Sequence, residues 1–278
     1  MKYDNVLICP VCGEPLFQRD GSLYCAGNHC FDLSKKGYVN LLPPSGHGGH
    51  GDDRLMVGAR TAFLNKGYYD RLSRAISAVA ADCVPDGGLI LDAGCGEGKY
   101  TAELLPALAE AGKTARILGI DISKEALIAA ARRSRELCLA VASTARMPVT
   151  DASADLLLNV FSPLMTEEFA RVLKPGGRLL RVVPLERHLW ELKALVYERP
   201  YENDPPQKEL EGFELLETRE LKYVVELTSA EDVRNLFMMT PYYYKTSAGD
   251  QEKLSGTERL SLTLEFCLLL SERKKECP

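Results

Sequence analysis

The sequence predicts an α/β fold with a mostly parallel, doubly wound sheet, preceded by a small metal-binding segment. Between residues 88 and 184, short apolar runs alternate with helical patterns. This alternation is typical of right-handed β-α-β crossovers with helices on both faces of a sheet. A glycine-rich turn follows the first apolar run. Four of the nine cysteines lie in the first thirty residues, which indicates a metal site.

The composition is that of an ordinary globular protein. The chain has 278 residues, of which 46% are hydrophobic and 26% are charged, and these values favour neither disorder nor a fibrous class. It has no apolar run of about eighteen residues and no secretory signal at its start, so we expect a cytoplasmic protein. The net charge of -5 argues only mildly against a nucleic-acid partner, because a local basic patch determines such binding.

The first element contains five candidate soft-metal ligands. Cys9 and Cys12 form a Cys-x2-Cys pair, and twelve residues separate this pair from Cys25, which is followed by His29 and Cys30. The spacing suits tetrahedral zinc, and the polar stretch QRDGS between the two groups predicts a hairpin. Four protein ligands leave no open position, so we expect a structural zinc whose binding helps a segment without its own core to fold.

A linker is predicted after the metal-binding segment. Residues 41–54 read LLPPSGHGGHGDDR, in which Pro, Gly, Ser and Asp replace almost all apolar residues. We therefore expect a zinc-binding domain over residues 1–40, a linker over 41–54 and an α/β domain over 55–278. His47 and His50 lie in the linker without cysteine or carboxylate partners, so we interpret them as solvated side chains and not as ligands.

Hydrophobic periodicity predicts the remaining elements. Apolar residues at helical spacing indicate two helices between residues 55 and 82. The strands that follow lie in GLILDA, RILGIDIS, LCLAVAS, ADLLLNVF and RLLRVVP, and the helices between them in TAELLPALAEAG, KEALIAAARRSRE and TEEFARVL. After a helix in HLWELKALVYE, the segments GFELLETRELKYVVEL and ERLSLTLEFCLLLSERKK are rich in strand formers. They predict an antiparallel edge on the parallel sheet.

The glycine-rich turn predicts a ligand site. Gly94, Gly96 and Gly98 come directly after a predicted strand and before a helix, where backbone N–H groups can approach a ligand at the carboxyl edge of the sheet. Asp92 ends that strand, and Asp121 ends the next strand, 29 residues later. An acid at the second position can accept hydrogen bonds from both hydroxyls of a ribose, which mononucleosides and dinucleotides both offer.

The form of the motif narrows the choice of ligand. Asp92 and the three glycines give D-x-G-x-G-x-G, which resembles motif I of the class I S-adenosylmethionine (SAM) methyltransferases. The turn KPGG at 174–177 resembles the same superfamily. This resemblance implies SAM as the cofactor and a Rossmann-like fold with a mostly parallel, seven-stranded sheet.

Longer segments resemble one family of that superfamily, the RlmA (RrmA) type of 23S rRNA (guanine-N1)-methyltransferases. In order, they are CPVCGEPL, CAGNHCFDLSKKGYVNLLP, ARTAFLNKGYYDRL, LDAGCGEGKYT, ILGIDISKEA, RHLWELKALVY and MMTPYY. They extend from residue 9 to about 197 and resume at 238–243. The metal-binding segment joined to FDLSKKGYVNLLP is the most specific part of the resemblance.

The resemblance implies which residues bind the metal and the cofactor. It leaves out Cys30 and implies that zinc binds Cys9, Cys12, Cys25 and His29. Its SAM contacts include His188, which the sequence alone would place on the surface of a helix. Together with motif I and the ribose argument, the predicted SAM-binding set is Tyr69, Asp92, Gly94, Gly96, Glu97, Asp121 and His188.

The resemblance also implies a reaction and its partners. A methyl group passes from SAM to N1 of a guanine in a hairpin loop of 23S rRNA, the zinc-binding domain helps to recognise the RNA, and two subunits pair as a homodimer to form a cleft. Branches of the family differ in the guanine that they modify and in macrolide resistance. Tyr242, Tyr243 and Tyr244 are candidates for stacking on bases, although three tyrosines in a strand are equally typical of packing.

Three questions stay open at this stage. Guanine N1 carries a proton that needs an acceptor. We expect a carboxylate, a histidine or a main-chain carbonyl around NVFSP at 159–163, where Asn159 could orient the purine; the sequence does not identify the acceptor. The substrate could instead be a small metabolite. The chain could also be a non-catalytic, zinc-containing RNA-binding or ribosome assembly factor, but the intact Asp92, glycine loop and Asp121 argue against that.

Overall fold

The computed structural model describes residues 2–3, 5–43, 51–254 and 256–275. His47 and His50 lie outside the described residues. Within those ranges, no helix combines the length and the apolar character needed to cross a bilayer.

The amino-terminal part contains a small antiparallel sheet of three strands. These are β1 (Phe17–Arg19), β2 (Ser22–Tyr24) and β3 (Cys30–Asp32), in the order β1-β2-β3. The turn between β1 and β2 consists of Asp20 and Gly21, both with positive φ, at 49° and 81°. Two successive residues of this kind match the twist of a tight hairpin. The hairpin predicted from QRDGS is therefore confirmed.

The large sheet has eight strands, in the order β10-β11-β9-β8-β5-β6-β7-β4. The neighbouring pairs from β4 to β9 are parallel, whereas β10 and β11 form the predicted antiparallel edge. The strands are β4 (Val39–Asn40), β5 (Gly88–Ala93), β6 (Ala115–Asp121), β7 (Cys138–Val141), β8 (Ala154–Val160), β9 (Leu173–Pro184), β10 (Phe213–Leu227) and β11 (Leu260–Arg273). Seven of them make the predicted sheet; β4, from the segment before the linker, adds an eighth.

The helices cover both faces of this sheet. They are α1 (Arg54–Leu64), α2 (Asp70–Cys83), α3 (Lys99–Glu110), α4 (Lys124–Arg133), α5 (Thr166–Val172), α6 (Trp190–Val196), α7 (Ala230–Met238) and α8 (Ala248–Glu252). The predicted helices are confirmed, but α6 begins two residues after His188. The helices α7 and α8 were not predicted.

Strand β5 separates two buried clusters. Ile90 packs among residues of the helices α1 to α4. Leu89 and Leu91 point to the opposite face, as alternate residues of a strand do, and they pack in one cluster with Leu7 and Leu23 of the amino-terminal part. The zinc-binding segment therefore shares a core with the large sheet.

Backbone hydrogen bonds reinforce this shared core. The N–H of Ile8 donates to the carbonyl of Pro148 over 3.0 Å, and the N–H of Thr150 donates to the carbonyl of Val6, also over 3.0 Å. On the other side of the segment, Val39 of β4 pairs with Ala140 of β7.

Helix α3 approaches helix α4 closely at its first turn. Gly98 precedes α3 with φ of 79°. A Cβ at this position would lie 2.7 Å from Ala130 Cβ and 2.9 Å from Ala130 Cα, which is closer than carbon atoms can pack. Gly112, just beyond the other end of α3, also has positive φ, at 66°, but a Cβ there would meet nothing within 4 Å. Substitutions at the two glycines therefore distinguish the cost of backbone strain alone from the cost of strain together with steric overlap.

We expect Gly98→Ala to destabilise the zinc-loaded protein more than Gly112→Ala. The Gly112 variant should lose about 1–2 kcal/mol of unfolding free energy, the cost of a left-handed conformation for a residue with a Cβ. The Gly98 variant should lose about 2–5 kcal/mol, because overpacking against Ala130 adds to the same strain. Urea unfolding followed by circular dichroism measures both values, and equal losses would contradict close packing of α3 on α4.

Candidate functional site

The zinc-binding segment brings four ligand atoms together. The ligand atoms of Cys9, Cys12, Cys25 and His29 all lie within 4.8 Å of one another. Nδ1 of His29 is 3.5 Å from Sγ of Cys9 and 3.3 Å from Sγ of Cys25, and Sγ of Cys12 is 3.6 Å from Sγ of Cys25. Zinc bonds of about 2.0–2.3 Å in a tetrahedron need separations of this size. The donor set and its spacing fit zinc.

Tight turns orient the two ligand pairs. The N–H of Gly13 donates to the carbonyl of Cys9 over 2.9 Å, and the N–H of Cys25 donates to the carbonyl of His29 over 3.2 Å. A Cβ at Gly27 would lie 3.3 Å from Sγ of Cys12 and 3.4 Å from Nδ1 of His29. The second turn therefore passes close to the metal position, where a glycine leaves room.

Cys30 does not belong to this group. It is exposed, and its Sγ lies 4.0 Å from Oδ1 of Asp32. Cys30 begins strand β3 and pairs with Tyr24, so the extended backbone turns its side chain away from that of His29. The predicted choice of His29 over Cys30 is confirmed.

A cavity of about 1070 Å³ opens at the carboxyl ends of β5, β6, β8 and β9. This is the edge at which open α/β sheets bind ligands, and the volume is large enough for a cofactor together with part of a substrate. The lining includes every member of the predicted SAM-binding set: Tyr69, Asp92, Gly94, Gly96, Glu97, Asp121 and His188.

Gly94 and Gly98 of the glycine loop are packed too closely for larger residues. Gly94, Gly96 and Gly98 have φ of 87°, 54° and 79°, all in the left-handed region. A Cβ at Gly94 would overlap the Ser162 hydroxyl and lie 2.6 Å from Ser162 Cβ. The loop therefore presents its backbone directly to the cavity.

Asp121 holds this loop in place. Its Oδ2 accepts a hydrogen bond from the N–H of Gly96 over 2.9 Å, and its Oδ1 accepts one from the N–H of Ser123 over 2.8 Å. Burial raises the pKa of its carboxyl group, and the two N–H donors oppose that shift. Each carboxylate oxygen can accept a further hydrogen bond, so the group fits the pair of ribose hydroxyls for which it was predicted.

Asp92 and Glu97 connect the loop to the surrounding helices. The Thr101 hydroxyl donates to Oδ2 of Asp92 over 2.6 Å, and burial raises the pKa of Asp92 to about 7. The Glu97 carboxylate forms an ion pair with Arg133, whose Nε donates to Oε2 over 2.6 Å, and it accepts from the Thr61 hydroxyl over 3.3 Å. These contacts attach α3, α4 and α1 to the loop.

His188 and Tyr69 form a buried pair at the cavity wall. The N–H of Glu265 donates to Nδ1 of His188 over 3.2 Å, which leaves the proton on Nε2, 3.5 Å from the Tyr69 hydroxyl. Burial lowers the pKa of His188 to about 3, so the imidazole is neutral at physiological pH. The interpretation of His188 from the sequence alone, as a surface residue on a helix, is wrong; only the family resemblance pointed to this site.

Some lining residues were not predicted. The segment 201–207 lines the cavity, as does Tyr100, whereas Phe161, which also lines it, lies within the predicted stretch 159–163. The sequence of 201–207 is merely acidic and proline-containing, and nothing local in it indicates a ligand. Asn159 was expected to orient a purine, but it is not part of the lining; it is buried, and its Nδ2 donates to the carbonyl of Pro163 over 3.2 Å. Asn159 therefore shapes the turn after β8.

The three adjacent tyrosines occupy different environments. They lie at a turn and in a 3-10 helix (Tyr243–Lys245), so their assignment to a strand is wrong. Tyr242 lines the cavity, and its hydroxyl donates to Oδ1 of Asn203 over 3.4 Å. Tyr243 packs against Phe237, with ring centroids 5.9 Å apart. Tyr244 is exposed and lies outside the cavity.

Two family models match the chain. The model described as "RlmA, N-terminal" matches residues 7–46, which include all four zinc ligands. The model described as "Methyltransferase domain" matches residues 90–177, which include the glycine loop and Asp121.

Relatives match over larger parts of the chain. It is 43% identical over 206 residues to a protein of Micromonospora griseorubida named "Putative 23S rRNA (guanine-N(1)-)-methyltransferase". The aligned region covers 67% of this chain and 68% of the relative. It is 40% identical over 196 residues to the 23S rRNA (guanine(748)-N(1))-methyltransferase of Streptomyces fradiae, and this aligned region covers 67% of this chain and 66% of the relative. The solved structure of the YcgJ protein of Bacillus subtilis is similar in fold alone, with a TM-score of 0.50, 16% identity, and coverage of 74% of this chain and 100% of that one.

The metal site gives a direct comparison of two adjacent residues. His29→Ala should lower the zinc content per chain, because it removes one of four ligands. Cys30→Ser should leave the zinc content unchanged, since its thiol lies outside the group. Mass spectrometry of the metal after dialysis against a weak chelator measures both. Equal loss of zinc in the two variants would contradict the assignment of the ligands.

Proposed function

The chain belongs to the family of 23S rRNA guanine-N1 methyltransferases, and from this premise we propose that it transfers a methyl group from SAM to N1 of a guanine in a hairpin loop of 23S rRNA. The observation that carries the proposal is the cavity at the carboxyl edge of the sheet, which all seven predicted SAM-binding residues line. Its volume of about 1070 Å³ leaves room for a base beside the cofactor.

The lining offers SAM a suitable electrostatic environment. When bound, SAM supplies a methyl group on a sulfonium that is already an excellent leaving group. Asp121 offers its carboxylate to the ribose hydroxyls, and Gly94 and Gly96 allow close approach of the backbone. His188 is neutral because burial lowers its pKa to about 3, so it adds no positive charge next to a cationic cofactor.

We place the acceptor of the guanine N1 proton in the segment 201–207. Within 159–163, no side chain is a carboxylate or a histidine. The cavity lining has six carboxylates. Four of them form ion pairs or hydrogen bonds with other protein groups. The remaining two are exposed and have no ion-pair partner within 4 Å among the described residues. The engaged carboxylates are Asp52, Asp92, Glu97 and Asp121, and the others are Glu202 and Asp204.

RNA recognition involves the zinc-binding segment in this proposal. That segment shares a core with the large sheet, so it presents a surface at a fixed position relative to the methyltransferase domain. The family resemblance further supports a homodimer whose two subunits form a cleft for the hairpin, and a ribosomal substrate agrees with a cytoplasmic location. A single-chain mass in sedimentation equilibrium would contradict the homodimer.

The proposed function is tested on unmodified 23S rRNA. We expect the purified protein and SAM to produce 1-methylguanosine, identified by nucleoside mass spectrometry and mapped to one nucleotide by primer extension. Asp121→Asn, purified in the same way, is the matched control that would reveal activity from a contaminating enzyme. It should weaken SAM binding about 10-fold or more in calorimetry, because it removes charge-assisted hydrogen bonds. Methylation of small molecules without any methylation of rRNA would contradict the proposal.

The proton acceptor is tested by Glu202→Gln and Asp204→Asn, made separately. We expect one of them to lower the single-turnover rate at neutral pH by about 100-fold or more, the usual contribution of a general base. The remaining rate should then rise with pH, as guanine itself loses the N1 proton. The other variant is the matched control and should keep the rate and pH profile of the parent protein. If both variants keep them, the acceptor lies elsewhere.

A further inference from the structure

Two large apolar residues at the cavity have a strained backbone. Six described non-glycine residues have positive φ. Four of these are Asn, Asp or Ala, and the other two are Phe161, at 53°, and Leu189, at 58°. Both Phe161 and Leu189 line the cavity. Positive φ in a bulky residue is a genuine outlier, and such strain persists mainly where function and the surrounding packing require it.

The turn that carries Phe161 is held on several sides. The N–H of Phe161 donates to the carbonyl of Val182 over 3.1 Å. Asn159 bonds the carbonyl of Pro163 over 3.2 Å. Ser162 fills the space that a side chain on Gly94 would occupy. The backbone of Phe161 is therefore held in place beside the glycine loop.

Phe161 remains half-exposed at the edge of an aromatic group centred on Phe266. Its ring centroid is 5.7 Å from that of Phe266 and 6.4 Å from that of Tyr100, yet 44% of the residue is exposed. A phenylalanine that served only to fill the core would be covered by neighbouring side chains. Among the described aromatic residues of the lining, only Phe161 and Tyr201, at 47%, are exposed to this extent.

The segment 201–207, which carries Tyr201, is also held in place. The N–H of Asn203 donates to the carbonyl of Glu186 over 2.8 Å, and its Nδ2 donates to the carbonyl of Leu185 over 2.7 Å. The buried Lys193 donates to the carbonyl of Tyr201 over 2.9 Å, and its ammonium lies 4.6 Å from the centroid of the Tyr201 ring. The segment is thus attached to the connection between β9 and α6.

We propose that Phe161 is the stacking platform for the target guanine, and that the segment 201–207 forms the rest of the base subsite. This inference rests on the proposed function. A guanine inside an RNA loop must leave its neighbours before N1 can reach a methyl group, and stacking on an aromatic side chain compensates for the contacts that it loses. The same subsite contains both carboxylates without ion-pair partners, Glu202 and Asp204.

Phe161→Leu tests the platform, because leucine keeps the apolar character and removes the aromatic face. We expect kcat/KM for the rRNA fragment to fall about 10- to 100-fold, in line with the loss of one stacked base, while the Kd for SAM changes less than about twofold. Phe161→Trp should restore most of the activity. Val224→Ala is the matched control, since Val224 is an exposed apolar residue of β10 outside the cavity, and it should keep the activity of the parent protein.

A spectroscopic test remains decisive if Phe161→Leu fails to fold. Trp190 is the single tryptophan of the chain, so Phe161→Trp in a Trp190→Phe background reports on one ring. The fluorescence should be quenched when the protein, saturated with S-adenosylhomocysteine, binds the rRNA hairpin, and much less by a hairpin with an abasic site at the target nucleotide.

The outcomes separate this inference from the proposed function. Equal quenching by both hairpins, or a Phe161→Leu variant within twofold of the parent kcat/KM, would overturn the platform. Absence of guanine methylation by the parent protein would instead overturn the proposed function.

Discussion

The alternation of side chains along β5 is the constraint on which the rest of the structure depends. Leu89 and Leu91 belong to the core that includes the zinc-binding segment, whereas Ile90 belongs to the core beneath α1 to α4. The same strand carries Asp92 next to its last residue, Ala93, and continues into Gly94 at the cavity. Because side chains alternate with a period of two, a shift of one residue in β5 would exchange both cores and displace the glycine loop.

Close packing around the glycine loop accounts for the form of the cavity. Ser162, from the turn after β8, occupies the space beside Gly94, and Ala130 of α4 occupies the space beside Gly98. Such contacts leave little freedom to the turn that carries Phe161. Backbone strain at a binding site is maintained only when its surroundings over-determine it, and here both neighbours of the loop contribute. Contacts within the protein therefore fix the wall of the cavity before any ligand binds.

The parts of the site that were predictable from sequence are those encoded by short spacing or by the ends of strands. The pairs around Cys9 and Cys25 lie close in the chain, so their spacing alone predicts a metal site. Asp92 and Asp121 lie within the last two residues of neighbouring parallel strands, which places them at one edge. His188 and the segment 201–207 reach the cavity only through long-range packing, for example through the bond from Glu265 of β11 to His188. Local patterns contain no such information.

The shared core also links metal binding to the integrity of the whole protein. Cys9 and Cys25 are buried in the same cluster as Leu89 and Leu91 of the central sheet, so the free energy of zinc binding also stabilises the methyltransferase domain. Any ligand that binds the native state alone shifts the folding equilibrium towards it. Loss of the metal would therefore lower the folded fraction of the whole protein, the glycine loop and its cavity included, and not only that of the amino-terminal segment.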